Sequence, residues 1–101
     1  MTQERNMNKP CTLRAGQIVK SKAGRDKANI FLVLEILDAK HVLVVDGKLH
    51  PLQRPKKKRI KHLQAYRAQL DDLEAMKKNE EFNDSYIRSV LLPYKVQEED
   101  R

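Results

Sequence analysis

Cysteine is almost missing from these 101 residues: Cys11 stands alone, so no internal disulfide can staple the fold. A reducing, cytoplasmic setting is the expectation that follows. Long apolar stretches are also missing. The longest unbroken run, Ile30 to Leu34, falls far below the ~20 residues of a membrane helix. The opening MTQERNMNKPCTLRA holds no apolar core of a signal peptide. Neither a membrane span nor secretion is therefore expected. Aromatics are scarce, with no Trp, two Phe and three Tyr, which leaves little for stacking nucleobases or lining a peptide groove. His41, His50 and His62 lack metal-ligand spacing, and one cysteine cannot complete a zinc set. There is no phosphate-cradling G-x-x-x-x-G-K and no nucleophile elbow. No catalytic residue, cofactor or metal site is expected. The reading is of a protein that is not an enzyme and takes no small-molecule substrate.

Positive charge is what the chain has in excess. Lys and Arg number 21 against 14 Asp and Glu, a net charge of +7. Through Leu70 there are 16 basic and 5 acidic residues, or +11; from Asp71 onward there are 5 and 9, or −4. A basic body points to a polyanion such as nucleic acid, and the acidic end points elsewhere. One length of sequence suits one domain with small appendages.

Met1 to Leu13 is polar and aperiodic and reads as a flexible arm, in which Arg5 and Lys9, like Arg14 just after it, face water. Gly16 opens a first strand, with Val19, Ser21 and Ala23 on one face and Lys20 and Lys22 on the other. Gly24 gives the following turn its permissive backbone, and Asp26 is expected to bond nearby backbone N–H groups. Seven of the eight residues from Ile30 to Leu37 are apolar, which implies a strand buried on both sides. Its face with Ile30, Leu32, Leu34 and Ile36 and its face with Phe31 and Val33 fill a barrel on one side and pack under a C-terminal element on the other. Glu35 is expected to reach water or a nearby lysine.

His41 to Asp46 is the next strand, and Asp46-Gly47 signals a hairpin whose return strand runs Lys48 to Leu52, at an edge because of Pro51. RPKKKRIK, residues 54–61, places six cations in eight positions between two strands. The last strand is expected over Arg59 to Leu63, with a bulge or turn between Ile60 and Leu63. The three- and four-residue spacing of Leu63, Tyr66, Leu70, Leu73 and Met76 predicts a helix over Gln64 to Lys78. A second, shorter helix starts at the cap Asn83, with Phe82 and Ile87 as its hydrophobic staple, and stops at Pro93. Lys95 to Arg101 reads as a disordered tail.

Gly16-Gln17-Ile18-Val19-Lys20-Ser21-Lys22-Ala23-Gly24-Arg25-Asp26-Lys27, together with the strand Ile30 to Leu37, resembles the KOW motif. That motif occurs in RNA-contacting SH3-like barrels of ribosomal proteins and transcription elongation factors. The closest likeness is to small bacterial KOW-domain RNA-binding proteins related to ribosomal proteins of the large subunit, and it covers roughly residues 14 to 64. Many members carry glycine after the Asp-Lys pair, where this chain has Ala28. The resemblance implies a mainly β fold: a five-stranded SH3-like β-barrel over 15–64, after an arm over 1–14. A helical extension of one or two helices follows over 65–94, then the tail over 95–101. It also implies contact with structured RNA, association with the ribosome, ribosomal proteins as neighbours, and a monomer.

The residues supply the mechanism. Cations on a stiff barrel neutralise phosphates and release counterions. The expected contact set is Lys20, Lys22, Gly24, Arg25, Lys27, Arg54, Lys56, Lys57, Lys58, Arg59, Lys61 and His62. With no aromatic among them, folded RNA is a better ligand than a single strand. Two other readings fit the same residues: a protein-interaction module of the SH3-like class, and a general duplex nucleic-acid binder.

Overall fold

The computed structural model describes residues 13–70 and 73–99. Five strands come first: β1 (Gln17–Ser21), β2 (Ile30–Ile36), β3 (His41–Val45), β4 (Lys56–Arg59) and β5 (Leu63–Gln69). A single helical turn, α1 (Leu73–Met76), and one long C-terminal helix, α2 (Asp84–Glu99), follow. The sheet is antiparallel throughout, in the order β4-β3-β2-β1-β5.

This sheet cannot be flat. Its two edge strands, β4 and β5, are joined only by the 3₁₀ turn Ile60–His62. Five strands laid flat would separate those edges by about 19 Å. Four residue steps from Arg59 to Leu63 span at most about 14 Å even when fully extended. The register adds to the demand: Arg59 pairs with His41 near the end of β2, while Leu63 pairs with Ser21 near its start. The sheet must therefore coil until its edges approach, which gives it an inside and an outside.

β2 is the shared wall. Val19, Phe31, Val33, Val42, Val44 and Leu63 form the inner core. Ile18, Ile30, Leu32 and Val45 form the outer face, covered by Leu73, Phe82, Ile87 and Leu91 from the helical segment. Ile30 to Val33 are 0–1% exposed, and burying each such side chain stabilises the fold by about 1.5–3 kcal/mol. Double burial of this strand was legible in its sequence. Alternation fails at one point, because the register slips between Val33 and Glu35. This bulge turns Ile36 to the inner core, away from the Ile30 face. Glu35 is exposed to water.

Several expectations need correction. The helix over Gln64 to Lys78 is replaced by β5 and the short α1. Its residues do have helical spacing, but a strand here pairs with β1, whose backbone would otherwise be an open edge. No return strand forms over Lys48 to Leu52. Instead Asp46 Oδ1 accepts the backbone N–H of Lys48 (2.9 Å) and of His50 (2.8 Å), closing a compact loop. That loop docks on α2: Leu52 N–H donates to Asp84 Oδ1 at 2.8 Å, and Arg88 donates to the Gly47 carbonyl. Gly47 (φ +77°) passes so close to α2 that a Cβ would lie 2.5 Å from the Asp84 carbonyl oxygen. The strand expected over Arg59 to Leu63 is the 3₁₀ turn, with Arg59 ending β4.

At the C-terminal end, Asn83 caps α2 through its Oδ1 and the Tyr86 N–H at 2.9 Å, and Phe82 and Ile87 share one core as the staple requires. Pro93 does not stop the helix, which runs to Glu99. Leu91 on one side of it is buried, and Tyr94 on the other packs against Tyr66 with ring centroids 5.1 Å apart. These contacts offset the hydrogen bond that proline removes. The tail expected from Lys95 is thus helical as far as Glu99. The arm expected through residue 14 is anchored at Leu13, which is buried in the inner core; Arg5, Lys9 and Cys11 lie outside the described residues. No helix among the described residues is long and apolar enough to cross a membrane.

Candidate nucleic-acid interface

The β1–β2 connection is a closed structure. Ser21 N–H donates to the Asn29 carbonyl (2.9 Å), and Ala28 N–H returns to the Ser21 carbonyl (2.8 Å). Within that frame, Lys27 N–H bonds the Gly24 carbonyl (3.2 Å) and Asn29 N–H the Asp26 carbonyl (2.9 Å). Such tight reversal needs left-handed backbone at two points, Gly24 at φ +87° and Ala28 at φ +75°. Glycine takes that conformation without cost. Alanine does not, so Ala28 holds strain of about 1–2 kcal/mol. Ala28→Gly should relieve it, less the extra freedom glycine gives the unfolded chain. The net expectation is a gain of about 0.5–1 kcal/mol, read as a rise of a few degrees in a thermal melt; a lowered melting point would contradict the positive φ.

Asp26 holds this loop against β4. Its side chain was expected to bond backbone N–H groups, but it turns inward to side chains. Lys58 Nζ lies 2.9 Å from Asp26 Oδ1 and 3.2 Å from Ser21 Oγ. Ser21 Oγ lies 2.9 Å from the same carboxylate oxygen, with the Ala23 carbonyl at 3.0 Å as a rival acceptor. Lys56 Nζ approaches Oδ2 at 3.3 Å as an ion pair, without the alignment of a hydrogen bond. Asp26 and Lys58 are only 7% and 8% exposed. Burial pushes the Asp26 carboxyl up, but the hydrogen bonds from Lys58 and Ser21, with the Lys56 ammonium close by, together outweigh it and bring the pKa from 3.8 to about 2.

The pleat explains why Lys58 is inside. Lys58 pairs with Val42 and Lys56 with Val44, so both project to the inner-core side of the sheet. Their stems cover apolar surface and their ammonium groups close the mouth of the core against Asp26. Lys57 and Arg59 project the other way and are exposed.

The sequence-predicted residues therefore separate into groups. Lys22, Gly24, Arg25 and Lys27 are exposed on the loop. Lys22 N–H donates to the His62 carbonyl at 2.7 Å, which ties the loop to the 3₁₀ turn carrying exposed Lys61 and half-buried His62. Lys56, partly exposed, borders the loop through Asp26. Lys20 is half-buried on β1, and Arg54 is exposed in the turn before β4. Lys58 is a structural group, engaged within the fold.

Lys40 escaped the sequence-based contact set. Lys40, with Arg59 and Lys61, lines a surface depression of about 350 Å³ floored by Ala39 and Ile60. Alone in an Asp-Ala-Lys turn, it carried no local charge density to mark it. Beside it, the Asp38 carboxyl sits below its usual range because it accepts the Lys40 N–H and faces the His41 ring at 3.1 Å. Aromatic rings do not contribute to this face: Phe31 is fully buried, Tyr66 meets Tyr94, and Phe82 meets Tyr86 at 6.0 Å. No protein-family model matches the chain, and no curated protein matches it in sequence.

Proposed function

We propose that this chain is an RNA-binding module built on an SH3-like barrel, contacting folded RNA and acting in association with the ribosome. Its coiled five-stranded sheet supports the barrel part of the reading, and the likeness of Gly16 to Lys27 to the KOW motif supports the RNA and ribosomal part. The observation that carries the proposal is a convergence. Asp26 pins the loop to β4, and Lys22 pins it to the 3₁₀ turn, so the backbone segments carrying Lys22, Arg25, Lys27, Lys56 and Lys61 are held together as one cationic face. Cations carried on a fixed loop backbone leave less to be ordered on meeting phosphates, and arginine adds a forked grip. Arg54, Lys57 and Arg59 extend the field around the edge strand. Lys58 leaves the contact set.

Stacking groups are not part of this face, so shape and phosphate spacing are what it can read. About six phosphate contacts would make affinity for a folded RNA fall on the order of a thousandfold between ~50 and ~200 mM salt. Titrations across that range, with a DNA duplex as competitor, test this. A flat salt dependence contradicts phosphate contact, and equal competition by DNA favours a general duplex binder.

A further inference from the structure

Immediately after the cationic loop, the chain enters a second surface depression, of about 460 Å³. Leu49 and Ala28 give it apolar walls over the buried Ile30, Asn29 and Asp46 polar ones, and Lys48 and Lys95 cationic ones. Three properties distinguish it from ordinary surface. Leu49 is 69% exposed, although its loop is held rigid by Asp46 and docked on α2. Asn29 is fixed by two backbone hydrogen bonds, yet its side-chain amide has no partner among the described residues. Asp46 commits Oδ1 to the loop, and its Oδ2 has no partner among the described residues.

From these features we infer that the depression takes one unpaired nucleobase of the bound RNA. A base is flat and apolar on its faces and carries donors and acceptors on its edge, which fits an apolar wall beside a free amide and a carboxylate oxygen. Its own phosphate would meet Lys48 or Lys95. Ala28, whose backbone is strained, is itself one of the lining residues, next in the chain after the loop cations. This inference rests on the RNA reading: it gives the face a means of preferring RNA with an extruded base over a smooth duplex.

Two measurements test it. In the first, the full chain is titrated with AMP, GMP, CMP and UMP, and with inorganic phosphate, while NMR follows the Asn29 side-chain amide and the Leu49 methyls. Shifts of both signals with at least one nucleotide, and not with phosphate, support the pocket. No shift with any nucleotide, or the same shifts with phosphate, overturns it. In the second, a hairpin with one bulged nucleotide is compared with its fully paired counterpart. Asn29→Ala and Leu49→Ser should each weaken the bulged RNA about tenfold and leave the paired RNA unchanged. Equal effects on both, or none, overturn the pocket while leaving the cationic face intact. Loss of discrimination is thus separable from failure of the RNA reading itself, in which neither hairpin responds when Lys22, Arg25 and Lys27 become alanine.

Discussion

Replacing Asp26 with alanine is expected to destabilise the fold by about 3 kcal/mol, because it strands the buried Lys58 ammonium without its partner. At this chain length that corresponds to a fall of roughly 12–24 °C in melting temperature. The lower end of the usual range for broken buried pairs is appropriate, since the lysine stem can swing its head to water. The double variant Asp26→Ala with Lys58→Met removes both charges and should recover much of the loss. Acid sensitivity gives an independent check. The folded carboxyl titrates near 2, below its unfolded value of 3.8, so the unfolded chain takes the proton first. The stabilisation is complete above about pH 4 and disappears as pH falls through 2; by linkage it amounts to about 2 kcal/mol. Denaturant melts between pH 5 and 2 should show this loss in the wild type and its absence in Asp26→Ala. An unchanged melting point at neutral pH would contradict the anchoring of the loop.

Changing Lys22, Arg25 and Lys27 together to alanine is expected to weaken folded-RNA binding by roughly a hundredfold near 0.1 M salt, since each released counterion contributes about 1 kcal/mol there. The slope of log affinity against log salt should also become shallower by about 3, close to one per lost phosphate contact. All three side chains are exposed and none holds Asp26, so the melting temperature should barely move. That combination of large affinity loss, reduced slope and intact stability separates a contact surface from a structural one. In Asp26→Ala, by contrast, the melting temperature falls first.

The two kinds of lysine in this chain show how far sequence reading reaches. In Lys56-Lys57-Lys58-Arg59, every residue is a cation and nothing local distinguishes the buried one. Only the pairing of Lys58 with Val42 sets the phase of the pleat and sends it inward. The lone acid in the preceding basic loop was the available clue, because a carboxylate among cations near a hydrophobic strand needs a partner. β2 was legible because both of its faces are apolar over four residues, which only double burial satisfies. The start of α2 was legible because Phe82, Asn83 and Ile87 stand at fixed offsets from one another. β5 was hidden because Leu63, Tyr66 and Leu70 fit a helix equally well, and the decision belongs to the open edge of β1, far away in sequence. Pro93 misled for a related reason: its local cost is real, but Leu91 and Tyr94 hold the helix on either side.

The cationic face built by the β1–β2 loop, β4 and the 3₁₀ turn is proposed to meet folded RNA. Ultraviolet crosslinking in cells, followed by identification of both the RNA and the crosslinked peptides, tests it most directly. Structured ribosomal RNA joined to peptides spanning residues 22–27 and 56–61 is the expected result. Recovery of no RNA, or of crosslinks confined to α2, would contradict it.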